Sequence, residues 1–520
     1  MAQKKTGSKR TQRRATPLSK HQRFKKTLHA PFSGLRLPLQ FVDWHRERLP
    51  EFLWIHYILS HYGIGVFSAI MDYLDQYADP QEEPLLGTIS SFGLIPEKNR
   101  DAVNSKMPDN FRTVFGEWTH IAKLYPNMPG NWLFLSEGLG EHSRPLDESL
   151  AALKSMVREL FDGKSSRASM PRAAAFSRII KHRKFISYDK EFVESLFAYP
   201  QKDEEQRGLT ESKIRVATGN LLLGRHEMGE WSKYFWRQNF RISVCEKPNP
   251  VLTAQPQSGR YSLRSVLEHA KEFERAQAMS LEAVLQQVSI DLYDLKRQEV
   301  LIGIVARQFR LLCAVLSDVN LWSEDLAAHL LRSMFENLLT AKYLEANPAL
   351  YPKFVEYGLG QLKLYKLRLQ DLEAAQEPPD PELTEFLDQL EAGIDSEQWE
   401  ERLPIDLGSW SGKPVREMAR EVNMEEPYKF LYQPYSIDVH GTWTSLIRWN
   451  MMRCRNPLHL FHHIADLHRP DVNFSSILPA LDMFEAIVSL VVGALNTPWE
   501  KRELLAPLCS LRENLKQVLS

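Results

Sequence analysis

The chain has 520 residues, 43% of them hydrophobic and 25% charged, with a formal net charge of -1. That length exceeds what one compact core holds, so two or three domains are expected, and the balance is that of an ordinary globular protein. Ten Lys or Arg and no acid lie between Met1 and Thr27, so the remainder carries about -11, which excludes a uniformly basic nucleic-acid binder.

In chain order, residues 1–30 read as a disordered basic arm without the apolar run of a signal peptide. Such an arm can meet RNA or another polyanion. Residues 31–245 read as an N-terminal helical domain. "DWHRERLPEFLWIHYILSHYGI" opens it, with Pro50 at an early helical position. Amphipathic pieces follow near Asn110–Leu124, Leu146–Phe161 and Phe192–Tyr199, then the aromatic-rich "GNLLLGRHEMGEWSKYFWRQNFRIS". Residues 246–260, with three prolines between Glu246 and Gly259, read as a linker.

Residues 261–520 read as a C-terminal helical bundle. Two or three long helices precede "SEDLAAHLLRSMFENLLTAKYLEANP". There Ser323 can cap, Glu324 and Asp325 suit the positive end, and Asn347-Pro348 is a stop. A further helix follows, then an acidic, solvated linker from Glu377 to Glu401. The window Ile477–Leu495 contains Pro479, Asp482 and Glu485 and reads as a buried helix rather than a membrane span. Cys245, Cys313, Cys454 and Cys509 show no metal-ligand or redox spacing. They read as reduced, mostly buried thiols in a cytoplasm.

Three constellations can carry chemistry. Arg332 and Glu336 sit four apart among Leu331, Met334, Phe335, Leu338 and Leu339. If buried, they either pair with each other or anchor a polar site, because an isolated buried charge is costly. Tyr432, Ser436 and His440 fall four apart and run into Gly441, a helix terminator. They form either a structural polar network or a site in which His440 moves a proton. The third set is "RCRNPLHLFHHIADLHRP", expected as a helix over 457–468 with Asn456 as its cap. His459, His463 and Asp466 on one face of that helix are candidate metal ligands. Arg455 with His462 offers an Arg-x(4–6)-His spacing instead. No phosphate-cradling loop or dinucleotide fingerprint is present, so no cofactor is expected.

The stretch Leu301–Leu495 resembles a bacterial family of unknown function with an Arg-x-x-x-Glu helix and a later Tyr-x-x-x-Ser-x-x-x-His-Gly helix. Here these are Arg332 and Glu336, then Tyr432, Ser436, His440 and Gly441. Pro434 departs from a regular second helix. The all-helical layout and the Arg-x(4–6)-His spacing also resemble HEPN-type helical domains. That resemblance implies a metal-independent RNase of toxin or antiphage systems, with histidine moving the 2'-hydroxyl proton and arginine stabilising the phosphate.

Two functions follow from this reading. One is a cytoplasmic interaction or structural module with a buried polar network, binding a protein partner or a second copy and no membrane. The other is an RNA- or nucleotide-acting enzyme using Arg332, Glu336, His440 and Ser436, with Arg455 and His462 as further candidates.

Overall fold

The computed structural model describes residues 20–24, 27–29, 43–78, 95–128, 130–181, 190–221, 226–248, 263–288, 291, 294–376, 378, 380–398, 400–468, 476–495 and 501–519. Helices dominate, as the patterning predicts, and the chain is all-α. Among the described residues the strands form two small antiparallel pairs. One is β1 (Gln22–Phe24) with β2 (Thr27–His29), and the other is β3 (Met451–Arg453) with β4 (His463–Ala465). The first pair lies at the end of the basic arm, where disorder was expected. The rest of that arm and most of the predicted linker lie outside the described residues.

The chain divides into two units. The first is Met1–Glu246 with Cys454–His462, and the second is Lys247–Arg453 with His463–Ser520. The boundary at 246 falls where the prolines begin. The return of 454–462 to the first unit was not anticipated.

In the first unit, α1 (Leu53–His61) is apolar on most sides and buried from Leu53 to Ile58. It packs on α2 (Gly63–Asp75), α3 (Leu146–Phe161) and α4 (Ser166–Lys181). In α3, Leu153, Met156, Val157 and Leu160 make the 3-4 spaced stripe of a one-sided helix, and Asp147 and Glu148 sit at its positive end. The aromatic-rich segment forms α5 (His226–Ile242), which buries Phe235 and Trp236 in the same core. Leu458, from the returning tip, is part of that core.

The second unit is a bundle built on α6 (Leu263–Leu285), α7 (Leu295–Ser317), α8 (Glu324–Ala346) and α9 (Tyr351–Ala374). Ser323 caps α8 by accepting the Leu326 N–H, and Asn347 ends the helix. The expected solvated linker is instead α10 (Pro381–Glu397), packed on α9 and capped by Asp380. Leu383, Leu387, Leu390 and Ile394 form an apolar stripe within the acidic composition, and Leu387 and Ile394 are buried.

α11 (Gln433–Val439) lies on α8, α12 (Ile477–Ala494) on α7 and α8, and α13 (Ala506–Leu519) on α6. Among the described residues two helices, α7 and α12, are long and apolar enough to cross a membrane. In this bundle they place Leu301, Val305, Leu312, Ala480, Phe484 and Ile487 in the core. Arg297 ties three of these helices together. It donates to both carboxylate oxygens of Glu345 at 2.8 Å and to the Ala494 carbonyl at 3.0 Å.

The predicted helix over 457–468 does not form. A single 3-10 turn, Pro457–His459, is followed by Leu460 and Phe461 at positive φ, and the chain then enters β4. Pairing of β4 with β3 satisfies the backbone that a helix would otherwise have closed on itself.

Candidate functional site

Two polar constellations emerge, one in each unit. In the second unit Arg332 projects from the flank of α8 while Leu331, Met334, Phe335, Leu338 and Leu339 point into the core. Its guanidinium serves three partners. Nε donates to Glu336 at 3.1 Å, one terminal nitrogen approaches His440 Nε2 at 3.1 Å, and the other donates to the Tyr432 hydroxyl at 3.2 Å. The Tyr432 hydroxyl in turn donates to Glu336 at 3.1 Å. Burial, together with neighbouring Glu336, raises the Tyr432 phenol above its ordinary range and keeps it a donor. A guanidinium only donates, so in this contact the acceptor is the His440 Nε2 lone pair.

This network is not buried, contrary to the expectation. Tyr432 is buried, but the Glu336 side chain is 43% exposed and His440 is exposed. Arg332 and Glu336 pair with each other and share Tyr432, but on the half-exposed flank of α8 rather than in the buried setting that the expectation assumed.

The irregularity expected at Pro434 takes a definite form. Tyr428–Tyr432 is a π-turn that runs directly into α11, with Pro434 as the second residue of that helix. The helix then ends in a Schellman motif. The Gly441 N–H donates to Asp438 C=O and the Thr442 N–H to Ile437 C=O, with Gly441 at φ +54. That ending leaves His440 at the rim. Ser436 contributes its carbonyl to the His440 N–H rather than a hydroxyl to the polar set.

The remaining candidates separate. Arg455 and His462 belong to the first unit, and the Arg332 set to the second. His463 lies on β4 with its ring against Trp443, and the Asp466 carboxylate is taken by His468 at 2.8 Å. His459 alone of the metal trio joins a ligand cluster.

That cluster was missed. Cys245, Cys454, His459 and His462 place their sulfur and ring-nitrogen atoms within 4.8 Å of one another. Cys245 Sγ is 3.5 Å from His459 Nδ1 and 3.2 Å from His462 Nε2, and Cys454 Sγ is 3.9 Å from His459 Nδ1. Cys454 and His459 are buried, whereas Cys245 and Cys509 are exposed and Cys313 is half-buried, so the expectation of mostly buried thiols fails. Burial lowers the basicity of His459, and burial with neighbouring Cys454 raises the Cys245 thiol above its ordinary value. In sequence the only local signal is Cys454-x4-His459-x2-His462, and the fourth member comes from the end of α5.

A family model with the description "family of unknown function (DUF5677)" matches residues 298–457. That stretch contains Arg332, Glu336, Tyr432, Ser436 and His440, the residues on which the sequence resemblance rests. Nothing matches among curated proteins or among solved structures.

Proposed function

We propose that the chain is a cytoplasmic interaction protein whose second unit recognises a protein partner through residues 430–446, with the Arg332 set holding that segment in shape. The observation that carries this reading is the exposure of Phe430 (73%), Trp443 (60%), Ile437 and Leu446 within one short stretch. Single exposed apolar side chains are ordinary, but several from one segment, aromatics among them and Arg448 close by, have the composition of a protein-binding hot spot. The Arg332 network joins α8 to α11 and so fixes the direction in which Phe430 and Ile437 project.

The test places a photo-crosslinking amino acid at Trp443 and irradiates cells producing the protein, alongside sedimentation of the purified chain. A single defined adduct, or a dimer, is expected, and Phe430→Ser should abolish it at unchanged Tm. A chain that stays monomeric and forms no specific adduct overturns the proposal.

A second reading, an activity on RNA or a nucleotide, rests on the Arg332–His440 contact. An exposed imidazole 3.1 Å from a guanidinium brings together the two groups that proton abstraction next to a phosphate needs, with the guanidinium turning to the phosphate and releasing the Nε2 lone pair. RNA incubated with the protein in EDTA, with His440→Ala as control, decides it. RNA left equally intact by both proteins removes this reading. The HEPN-type spacing lends it nothing, because His462 turns to Cys245 and His459 is buried.

A further inference from the structure

We propose that Cys245, Cys454, His459 and His462 form a closed Cys2His2 zinc site in the first unit, fastening the tip Cys454–His462 to the chain leaving α5. In a tetrahedral zinc site with two sulfurs and two nitrogens, neighbouring donor atoms lie about 3.3–3.8 Å apart. The recorded separations of 3.2, 3.5 and 3.9 Å bracket that range, and none of the others exceeds 4.8 Å. Only a small contraction closes the shell.

The hydrogen bonds around His459 already select the nitrogen a metal needs. The Ser243 hydroxyl donates to the Asn239 carbonyl at 2.8 Å, so its proton is committed. Its oxygen therefore accepts from His459 Nε2 at 2.9 Å and from Asn456 Nδ2 at 3.3 Å. His459 carries its proton on Nε2, and the lone pair of Nδ1 faces the two sulfurs. A histidine ligand held by an outer hydrogen bond in this way is the usual arrangement at zinc. His462 presents Nε2 to the same point, and the Phe240 ring packs against both imidazoles at 4.4 and 5.1 Å.

The backbone is folded for the same purpose. The Cys454 N–H donates to the His462 carbonyl at 2.8 Å, closing the tip and bringing its first and last ligands together. Arg455 N–H donates to the Glu246 carbonyl at 2.7 Å, setting Cys245 beside that closure. Zinc binding releases two thiol protons, giving two thiolates, two neutral imidazoles and Zn²⁺ with no net charge. Two sulfur and two imidazole donors favour zinc over the oxygen-seeking magnesium and calcium. With four protein ligands no position remains for substrate, so the metal is structural.

The full chain is purified under reducing conditions, without chelators or a metal-affinity step, and its metals are counted by plasma mass spectrometry. We expect one zinc per chain. Cys245→Ser and His462→Asn alter the solvent-facing side of the site, and in both zinc should fall to background while circular dichroism keeps its helical signal. Ser243→Ala, which frees the His459 tautomer, should weaken zinc binding by about 10–100-fold. Cobalt added to the metal-stripped chain should give the visible bands of tetrahedral coordination with sulfur-to-metal charge transfer, lost in Cys245→Ser. The proposal is overturned if the reduced wild type holds no zinc and takes up no cobalt. It is equally overturned by zinc unchanged in both ligand variants, or by a native Cys245–Cys454 disulfide in place of metal.

Discussion

Asn456 is fully buried, and its side chain is divided between two tasks. Its oxygen accepts the Leu458 N–H at 3.1 Å, and its amide nitrogen donates to the Val244 carbonyl at 3.1 Å and to Ser243 Oγ at 3.3 Å. Asn456→Ala removes all three bonds. The Leu458 N–H, in a residue only 1% exposed, is stranded at a cost of about 2 kcal/mol, the penalty of a buried donor without an acceptor. Val244 is 79% exposed, so water can replace the lost donor there and the net loss is about 1 kcal/mol. The tip should therefore open more easily by about 3 kcal/mol. Hydrogen exchange read by mass spectrometry on peptides covering 243–246 and 454–462 measures that opening directly, with peptides of α12 as the unaffected control. Asn456→Asp keeps the acceptor for Leu458 and loses only the donations, so the Leu458 amide should stay protected while Val244 and Ser243 lose their partner. A change below about 0.5 kcal/mol in Asn456→Ala would show that these bonds do not hold the tip and would falsify the reasoning.

Four further outcomes are expected. Gly441→Ala puts a Cβ at φ +54 in otherwise open space, so the cost is backbone strain alone, about 1 kcal/mol by thermal unfolding. Arg297→Lys keeps the charge but cannot hold both oxygens of Glu345 and the Ala494 carbonyl together. It should cost about 1–2 kcal/mol in urea unfolding, and a loss no larger than that of an exposed Lys-for-Arg exchange refutes the clamp. Burial pushes the Glu51 carboxyl up to about 8 despite Arg48 beside it. A carboxyl whose folded value lies above its unfolded one loses stability as pH rises between the two, so Tm should fall from about pH 5 to 8 and level off above, and Glu51→Gln should flatten that slope. His440→Ala removes an exposed side chain with one bond to Arg332, so Tm should move by no more than about 0.5 kcal/mol equivalent, and a larger loss would make His440 a structural member after all.

Helix α8 was legible almost to the residue because its signals are local, a serine cap, acids in the first turn and an Asn-Pro stop. α10 was not, since its acidic composition masks the Leu383, Leu387, Leu390 and Ile394 stripe that packs on α9. The segment 457–468 fails for a different reason. Spacings of four and three among His459, His463 and Asp466 fit one helix face, but the competing partner is β3, and strand pairing leaves no periodic mark in three residues. Positive φ at Leu460 and Phe461 is likewise invisible in residues that seldom adopt it. Of the Arg332 set, the spacing on two helices offered Arg332, Glu336, Tyr432 and His440 as candidates but also Ser436, whose hydroxyl takes no part, and it left open whether the two helices meet. The exposure of the set was not readable, because hydrophobic neighbours at positions 331, 334 and 335 say that one face of α8 is buried and nothing about the other.

The two constellations stand differently toward the family-matched stretch, and this bears on which is general. Residues 298–457 contain the whole Arg332 set, and each hydrogen bond described for it joins residues of the second unit. The same stretch contains Cys454 but ends before His459 and His462 and excludes Cys245, which lies 214 residues from His459. Three of the four ligands therefore belong to sequence outside the shared segment, and all four belong to the first unit. A chain carrying the matched stretch with a different N-terminal half can keep Arg332, Tyr432 and His440 in place while having no use for a thiol at 454. The prediction is separable: where relatives retain Cys454 they should also supply a cysteine at the end of the preceding helical unit and the His-x2-His pair after it. Where any one of these is missing the other three should be free to vary, because a partial ligand shell binds zinc weakly and leaves buried polar groups unpaired.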